Sequence, residues 1–158
     1  MSIQKAYNEW SETYDTDQNL TRDLDEKVTR ETLANLRFDS ILEIGCGTGK
    51  NTTFLAQVGA HVHALDFSEG MIEKAREKVK EENVKFSVAD LTQKWPCENR
   101  SYDLIVCTSF WNTSQIFPSF FQRPFEFWRS REDSWSMSFI RFDIMTTTTP
   151  TTAVLAGW

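Results

Sequence analysis

The chain has 158 residues, a length that suits one domain with a buried core. Its formal net charge of −6 argues against a general nucleic-acid or anionic-membrane surface, because phosphate contacts need clustered Lys and Arg. The first residues, MSIQKAYNEW, lack the apolar core of a signal peptide, and no apolar run approaches the roughly 18 residues of a membrane span. We therefore expect a cytoplasmic protein whose partners are small molecules, with neither nucleic acid nor membrane among them.

The composition changes near residue 107. Every Lys lies at or before Lys94, whereas eight of the twelve Phe lie at or after Phe110, and the chain ends in a Thr-rich run around Pro150. The charged residues after residue 107 balance, so the net charge belongs to residues 1–107. We predict an organised unit over residues 1–107 and a poorly structured aromatic and Thr-rich tail over residues 108–158.

The first elements in chain order are a helix, a strand and a second helix. Apolar residues at helical spacing among charges predict a helix over Thr21–Leu36, with Thr21 or Asp23 as N-cap. The apolar run "SILEIG" predicts a strand that ends in a glycine-rich turn. "TTFLAQVG" then predicts a helix that stops at Gly59.

The alternation of strands and helices continues to residue 107. "HVHALD" predicts a second strand, Ser68–Val79 a helix with Ser68 as N-cap, "VKFSVAD" a third strand and "YDLIVC" a fourth. This order predicts the α/β class, as a Rossmann-like, doubly wound parallel sheet that is incomplete because only its first four strands are present.

The cysteine and histidine residues do not have the spacing that is typical of a metal site. Cys46, Cys97 and Cys107 show no C-x-x-C or Cys/His ligand spacing, so we expect free thiols and no metal site. His61 and His63 share one face of the second predicted strand, but no third ligand is visible and packing is the favoured role.

Ligands of parallel sheets bind beyond the carboxyl ends of the strands. Gly45, Gly47 and Gly49 follow the first strand and remove the Cβ atoms that would keep the backbone away from a ligand. Lys50 stands where a dinucleotide fingerprint needs glycine, and the Walker spacing is absent. Asp66 lies about twenty residues further on, where a carboxylate can accept both hydroxyls of a ribose. An adenosine ligand without phosphates fits best.

These residues resemble the class I S-adenosylmethionine-dependent methyltransferases of the small-molecule type. "LEIGCGTG", "ALDFSEGMIEKAREK", "VAD" and "YDLIVC" carry the resemblance, and "YNEWSETYD" is similar to the segment that precedes the sheet in such enzymes. The resemblance implies S-adenosyl-L-methionine as cofactor, with the three glycines at its methionine part, Asp66 at the ribose and Asp90 at the adenine amine. It further implies that Glu43 acts through the glycine loop or water, that Tyr14 closes the pocket, and that Cys107, at the end of the fourth strand, is also a cofactor-binding residue.

Other interpretations of these residues remain open. Asp66 could cap the following helix, Asp90 could be a turn residue, and Tyr14 could pack in the core. A nicotinamide-dependent oxidoreductase and a catalytically dead cofactor-binding remnant or scaffold are the alternative functions. The catalytic residues, the methyl acceptor and the oligomeric state are not indicated.

The tail is similar to family sequence in a shifted reading frame. When the last base of each codon is joined to the first two of the next, Phe110–Trp111 must encode Leu and Trp111–Asn112 must encode Glu. With permitted codons, "CTSFWNTSQIFPSFFQRPFEFW" becomes "CNLVLEHISDLSFIFSEAFRVL". We therefore expect a frameshift directly after Cys107, loss of the acceptor half, and weak or absent cofactor binding and methyl transfer by the chain as written.

Overall fold

The computed structural model describes residues 3–16, 18–90, 93, 96–97, 101–107, 137–142 and 152–157. We expect the tail to be poorly structured, and most of it lies outside the described residues as the aromatic-rich segment 108–136. Within the described part of the chain, no helix combines the length and apolar character needed to cross a bilayer.

Four parallel strands form the part of the sheet that the sequence predicts. β1 lies between β2 and β4, and β3 lies on the outer side of β2. The register places Ile44, the last residue of β1, beside Leu65 of β2 and Cys107 of β4, so these strands end at one edge of the sheet. Their bounds are β1 Phe38–Ile44, β2 Gly59–Asp66, β3 Val84–Val88 and β4 Leu104–Cys107.

Two further strands, which the sequence did not predict, come from the C-terminal segment. β6 (Thr152–Gly157) pairs with β4 in antiparallel orientation, and β5 (Met137–Phe142) pairs with β6 in the same way. The six-stranded sheet therefore runs β3-β2-β1-β4-β6-β5, and β4 is not an edge strand. The predicted four-stranded parallel sheet is confirmed, and β6 extends it because a Thr- and Val-containing segment can pair with the backbone groups along the other side of β4.

The described helices are α1 (Ile3–Trp10), α2 (Leu20–Leu33), α3 (Thr52–Val58) and α4 (Glu69–Lys78). Ser68 caps α4 as predicted, since its hydroxyl accepts the Met71 amide at 3.2 Å. The predicted cap of α2 is wrong: the Asn19 side chain accepts the Arg22 amide at 3.1 Å, one turn into the helix, and α2 begins at Leu20.

The core lies on both faces of the sheet, because successive strand residues point to opposite sides. On one face, Ile41 and Val62 pack against Leu33 of α2 and Leu55 of α3. A second cluster contains alternate strand residues that are buried on the opposite face: Leu42, Ile44, Leu65, Ile105 and Cys107. This burial fixes the strand ends, and thereby the loops that follow them.

His63 belongs to the packed interior. Its two ring nitrogens lie 2.8 Å from the Tyr102 hydroxyl and 2.9 Å from the Ser87 hydroxyl. Burial, together with the charge of Lys85, lowers its pKa to about 4, so the imidazole is neutral near pH 7. His61, two residues earlier on β2, is exposed.

Candidate functional site

The backbone amides of the glycine loop between β1 and α3 donate hydrogen bonds to neighbouring parts of the protein. The Gly45 and Cys46 amides donate to the Leu65 carbonyl at 2.8 and 3.0 Å, and the Gly49 amide donates to the Cys46 carbonyl at 3.0 Å. The Gly47 amide donates to the Asp66 carboxylate at 2.9 Å. Four amides of the loop are thus already satisfied by protein oxygens.

Glycine is required in this loop by conformation and by space. Gly45, Gly47 and Gly49 have φ values of 74°, 54° and 81°, in the left-handed region that side chains rarely adopt. A Cβ on Gly49 would also lie 2.8 Å from a Val79 methyl, so the loop can sit on α4 only with glycine at this position.

Asp66 joins the glycine loop to the start of α4. One carboxylate oxygen accepts the Gly47 amide and the other accepts the Ser68 amide, both at 2.9 Å. Burial raises the pKa of Asp66, while these backbone donors favour the charged form. Ser68 rather than Asp66 supplies the side-chain cap of α4, so the capping interpretation of Asp66 loses its main support.

Tyr14 lies over the glycine loop. A Cβ built on Gly47 would be 3.7 Å from Cε1 of the Tyr14 ring, which is van der Waals distance. The Arg22 guanidinium stacks on the same ring at 4.2 Å and donates to the Tyr14 carbonyl, and Trp10 packs against it edge-on with ring centroids 4.7 Å apart. Tyr14 therefore packs with other residues and also covers the loop.

Polar contacts hold the segment between α1 and α2 against the loop. The Asp15 carboxylate accepts the Thr48 hydroxyl at 2.6 Å and the Lys78 ammonium at 2.5 Å. These donors hold the pKa of Asp15 below its usual value despite the opposing effect of burial. The sequence pattern gives no signal for this cluster, because its three members come from three separate elements.

Lys50 is also engaged. Its ammonium lies 2.5 Å from Asp23 and 3.1 Å from Glu26, both on α2. Lys50, which stands where a dinucleotide fingerprint needs glycine, therefore links the glycine loop to α2 through ion pairs.

α1 docks on the N-terminal end of α4. The Asn8 side-chain oxygen accepts the Ser68 hydroxyl at 2.6 Å and the Gly70 amide at 3.3 Å. A Cβ on Gly70 would lie 3.1 Å from the Asn8 carbonyl oxygen, so only glycine allows this approach without displacement. This contact brings the N-terminal segment across the carboxyl ends of β1 and β2.

Glu43 is buried beneath the loop. Its side chain has 0% exposure, and Oε2 accepts the Thr52 hydroxyl at 2.6 Å. Burial, with smaller contributions from the charges of Asp25 and Asp66, raises its pKa to about 7. Thr52, at the start of α3, was missed by sequence reasoning because a threonine at a helix start usually indicates capping.

The remaining predicted residues lie at the same end of the sheet. Asp90 follows β3 and is exposed, and the amide of the preceding Ala89 donates to the Asp66 carbonyl at 2.8 Å. Cys107 ends β4 beside Ile44, and burial raises the pKa of its thiol. The structure therefore gathers the ends of β1, β2, β3 and β4, with Tyr14 above them, at one site.

A parallel α/β sheet with a glycine loop after β1 and an acidic residue after β2 defines the nucleoside-cofactor-binding class of Rossmann-like domains. A family model described as a methyltransferase domain matches residues 41–129, more than half of the chain. The chain belongs to this methyltransferase-domain family, as the sequence predicted.

Known proteins agree with this assignment. The malonyl-[acyl-carrier protein] O-methyltransferase of Priestia megaterium is 33% identical over 66% of this chain and 39% of its own length. The demethylmenaquinone methyltransferase of Clavibacter sepedonicus is 38% identical over 49% of this chain and 32% of its own length. The solved structure of a DhpI-SAH complex shares the fold, with a TM-score of 0.66, 19% identity, and coverage of 98% of this chain and 78% of that one.

The extent of the matches to known proteins is relevant to the tail. The chain spans about two fifths of the length of the first curated relative. The family match does not stop at Cys107 but continues to residue 129. A break directly after Cys107 therefore does not coincide with an end of the family match.

Proposed function

We propose that this chain binds S-adenosyl-L-methionine, though more weakly than a chain with the restored frame, and that it descends from a methyltransferase acting on a small molecule or a carried acyl group. The main support for the proposal comes from the glycine loop, in which four backbone amides already donate hydrogen bonds to oxygens of the protein. A loop that cradles a pyrophosphate needs free amides. The loop can still lie in van der Waals contact with a ligand that needs no hydrogen bonds from these four amides, which favours a nucleoside cofactor without phosphates over NAD(P).

Asp66 fits the ribose of such a cofactor. An ionised carboxylate offers about four lone-pair sites. Two of these sites accept the Gly47 and Ser68 amides and the Phe67 amide also stabilises the charge, so at least one site remains for a ribose hydroxyl. The backbone bonds also fix the orientation of the carboxylate before the ligand arrives, which reduces the ordering cost of binding.

The charges around the loop favour a cationic ligand over an anionic one. Glu43 and Asp66 are both buried, and their hydrogen-bond donors are the neutral Thr52 hydroxyl and backbone amides. Lys50 is held by Asp23 and Glu26 rather than presented to a phosphate. S-adenosyl-L-methionine, whose sulfur carries a positive charge, suits these surroundings.

Such a cofactor supplies an electrophilic methyl group on its sulfonium. The protein contributes by orienting it: the glycine loop would lie along the methionine part, Asp66 would hold the ribose, Asp90 would meet the adenine amine, and Tyr14 would exclude water from above. Cys107 marks where β4 leads into the acceptor side, which lies outside the described residues.

The experiment is equilibrium binding of S-adenosyl-L-methionine to the wild-type chain and to Asp66→Asn. The variant keeps the shape of the side chain, removes its charge and leaves one acceptor oxygen for the Gly47 and Ser68 amides. Because hydrogen bonds to a charged group contribute about 1.5–3 kcal/mol, we expect roughly ten- to hundredfold weaker binding. Glu73→Gln, at an exposed position on α4, is the matched control and should bind like the wild type. Unchanged affinity in Asp66→Asn would remove the ribose assignment.

The tail and its origin form a separate part of the proposal. We propose that residues 108–158 derive from a shifted frame, so that the acceptor half is lost and methyl transfer is impaired. The free thiols Cys46, Cys97 and Cys107 suit the cytoplasmic location proposed from the sequence. Sequencing the transcript across the codons for Leu104–Gln115 tests the frame. An additional base that restores "CNLVLEH" supports it, and confirmation of the written bases removes the artefact explanation.

A further inference from the structure

The N-terminal segment over residues 3–16 is attached to the rest of the molecule mainly by polar contacts. Of residues 4–16, Ser11 alone is buried, and none of them belongs to the hydrophobic clusters of the core. Side chains about one helical turn apart contact α4 or the residues before it: Gln4 the Phe67 carbonyl at 2.9 Å, Asn8 the Ser68 hydroxyl at 2.6 Å, Glu12 the Lys74 ammonium at 3.3 Å, and Asp15 the Lys78 ammonium at 2.5 Å. A segment with few buried apolar contacts opens at a lower free energy than the core.

Asp15 is the member of this series that also contacts the glycine loop. Its Oδ1 accepts the Thr48 hydroxyl at 2.6 Å, and its Oδ2 lies 2.5 Å from the Lys78 ammonium. Lys78 in turn donates to the Thr48 hydroxyl at 3.3 Å, so the three side chains form a closed ring of contacts, called here the Asp15 cluster. Thr48 is buried in the loop, whereas the side chains of Asp15 and Lys78 are 43% and 41% exposed. The cluster therefore joins a mobile surface contact to a fixed residue of the site.

The Asp15 cluster fixes the position of Tyr14. Consecutive residues of the segment meet consecutive residues of the loop: Tyr14 lies over Gly47, with its Cε1 3.7 Å from a Cβ built there, and Asp15 binds Thr48. Arg22 of α2 stacks on the Tyr14 ring at 4.2 Å and holds it from the other direction. Because residue 15 directly follows residue 14, movement of the Tyr14 backbone away from the loop separates Asp15 from Thr48.

We propose that Asp15 is a positioning residue that controls how fast the cofactor exchanges, because its contacts with Thr48 and Lys78 hold the N-terminal segment closed over the glycine loop. This inference rests on the proposed function. A ligand that lies along the loop is covered by Tyr14, and its entry and release need the segment to open. The contacts of the Asp15 cluster involve only groups of the protein, so opening breaks them in the free and in the bound chain alike. Their loss should therefore raise the association rate and the dissociation rate together, and change the affinity less than either rate.

The test is the dissociation rate of S-adenosyl-L-methionine from the full chain, measured in stopped flow after rapid dilution of the complex and followed by tryptophan fluorescence. Asp15→Asn keeps an oxygen for the Thr48 hydroxyl and removes the charge that attracts Lys78. Because the ion pair is partly exposed and therefore screened, we expect dissociation to be about three- to fivefold faster, and association to be faster by a similar factor.

The matched control is Glu12→Gln. It makes the same change of charge in the same segment, at a side chain that is 71% exposed and pairs with Lys74 rather than with the loop. Both rates should stay within about twofold of the wild type, since an exposed ion pair contributes little.

Further measurements distinguish positioning from a general loss of structure. A variant that is only less folded binds less ligand, but the ligand that it does bind dissociates at the wild-type rate. In a double-mutant cycle, Asp15→Asn and Lys78→Gln should be non-additive in the dissociation rate, because either change breaks the same ion pair. The dissociation rate of the wild type should rise between about 0.05 and 0.5 M salt, and that of Asp15→Asn should rise less.

The outcomes separate this proposal from the proposed function. If S-adenosyl-L-methionine binds, but the wild type, Asp15→Asn and Glu12→Gln release it at equal rates, control by Asp15 is refuted and the proposed function stands. Additive effects of Asp15→Asn and Lys78→Gln would also refute it. If the wild type does not bind the ligand, the proposed function fails and the present proposal with it. Should Asp15→Asn not fold, the wild type decides alone, and a dissociation rate that does not depend on salt would overturn the proposal.

Discussion

The stability of the fold should respond to pH through two buried groups whose effects oppose each other. The folded state raises the pKa of Glu43 from 4.5 to about 7, so it binds a proton that the unfolded state releases between these values. The contribution of Glu43 is fully present below pH 4.5 and is lost as pH rises towards 7. The difference corresponds to about 3 kcal/mol.

His63 has the opposite dependence. The folded state lowers its pKa from 6.5 to about 4, so the unfolded state binds the extra proton between these values. The contribution of His63 is fully present above pH 6.5 and is lost as pH falls towards 4, again by about 3 kcal/mol. Between pH 4.5 and 6.5 the two contributions change in opposite directions, and their sum in the wild type should be nearly flat.

Single substitutions should reveal the pH dependence of stability that the two opposing contributions cancel in the wild type. We expect the free energy of unfolding of Glu43→Gln to rise with pH between about 4 and 6.5, because the opposing contribution of Glu43 is then absent. His63→Gln should show the reverse, a fall between about pH 4.5 and 7. Urea denaturation at half-unit pH steps, followed by tryptophan fluorescence, measures both profiles. Variant profiles that run parallel to that of the wild type would refute the argument, whatever their absolute stabilities.

Three glycine substitutions provide further tests. Gly49→Ala should cost about 2–4 kcal/mol, since it combines a positive φ with a Cβ 2.8 Å from Val79. Gly47→Ala shares the backbone strain but makes only ordinary van der Waals contact, so it should cost about 1–2 kcal/mol; thermal unfolding compares the pair, and an equal loss would contradict the packing argument. Gly70→Ala places a Cβ 3.1 Å from the Asn8 carbonyl oxygen and should release α1. Hydrogen exchange of residues 3–16 should then increase, and unchanged protection would show that α1 adapts.

Local patterns were enough to predict the parallel part of the fold. The apolar runs before Gly45 and at "HVHALD" are strands that are buried on both faces, and such runs are readable without knowledge of their neighbours. Ser68 was identified as a cap because its pattern is local. The cap of α2 was wrong because Asn19, Thr21 and Asp23 all fit the composition of a helix start, and only the observed boundary selects Asn19.

Contacts between distant segments were the part of the site that sequence could not provide. The Thr48 hydroxyl meets the Asp15 carboxylate across 33 positions, and no residue pattern specifies that approach. The antiparallel strands β5 and β6 escaped prediction for the same reason, since their pairing depends on the free side of β4. The roles of the predicted ligand contacts remain predictions until a ligand is measured.

The central claim is that the glycine loop and Asp66 bind an adenosine cofactor without phosphates. Titration of the 158-residue chain with S-adenosyl-L-methionine, and in parallel with NAD⁺, tests it directly. We predict saturable one-site binding of S-adenosyl-L-methionine that Asp66→Asn weakens, and no binding of NAD⁺ at the same concentrations. Saturable binding of NAD⁺, or failure of S-adenosyl-L-methionine to bind the folded chain, would contradict the account.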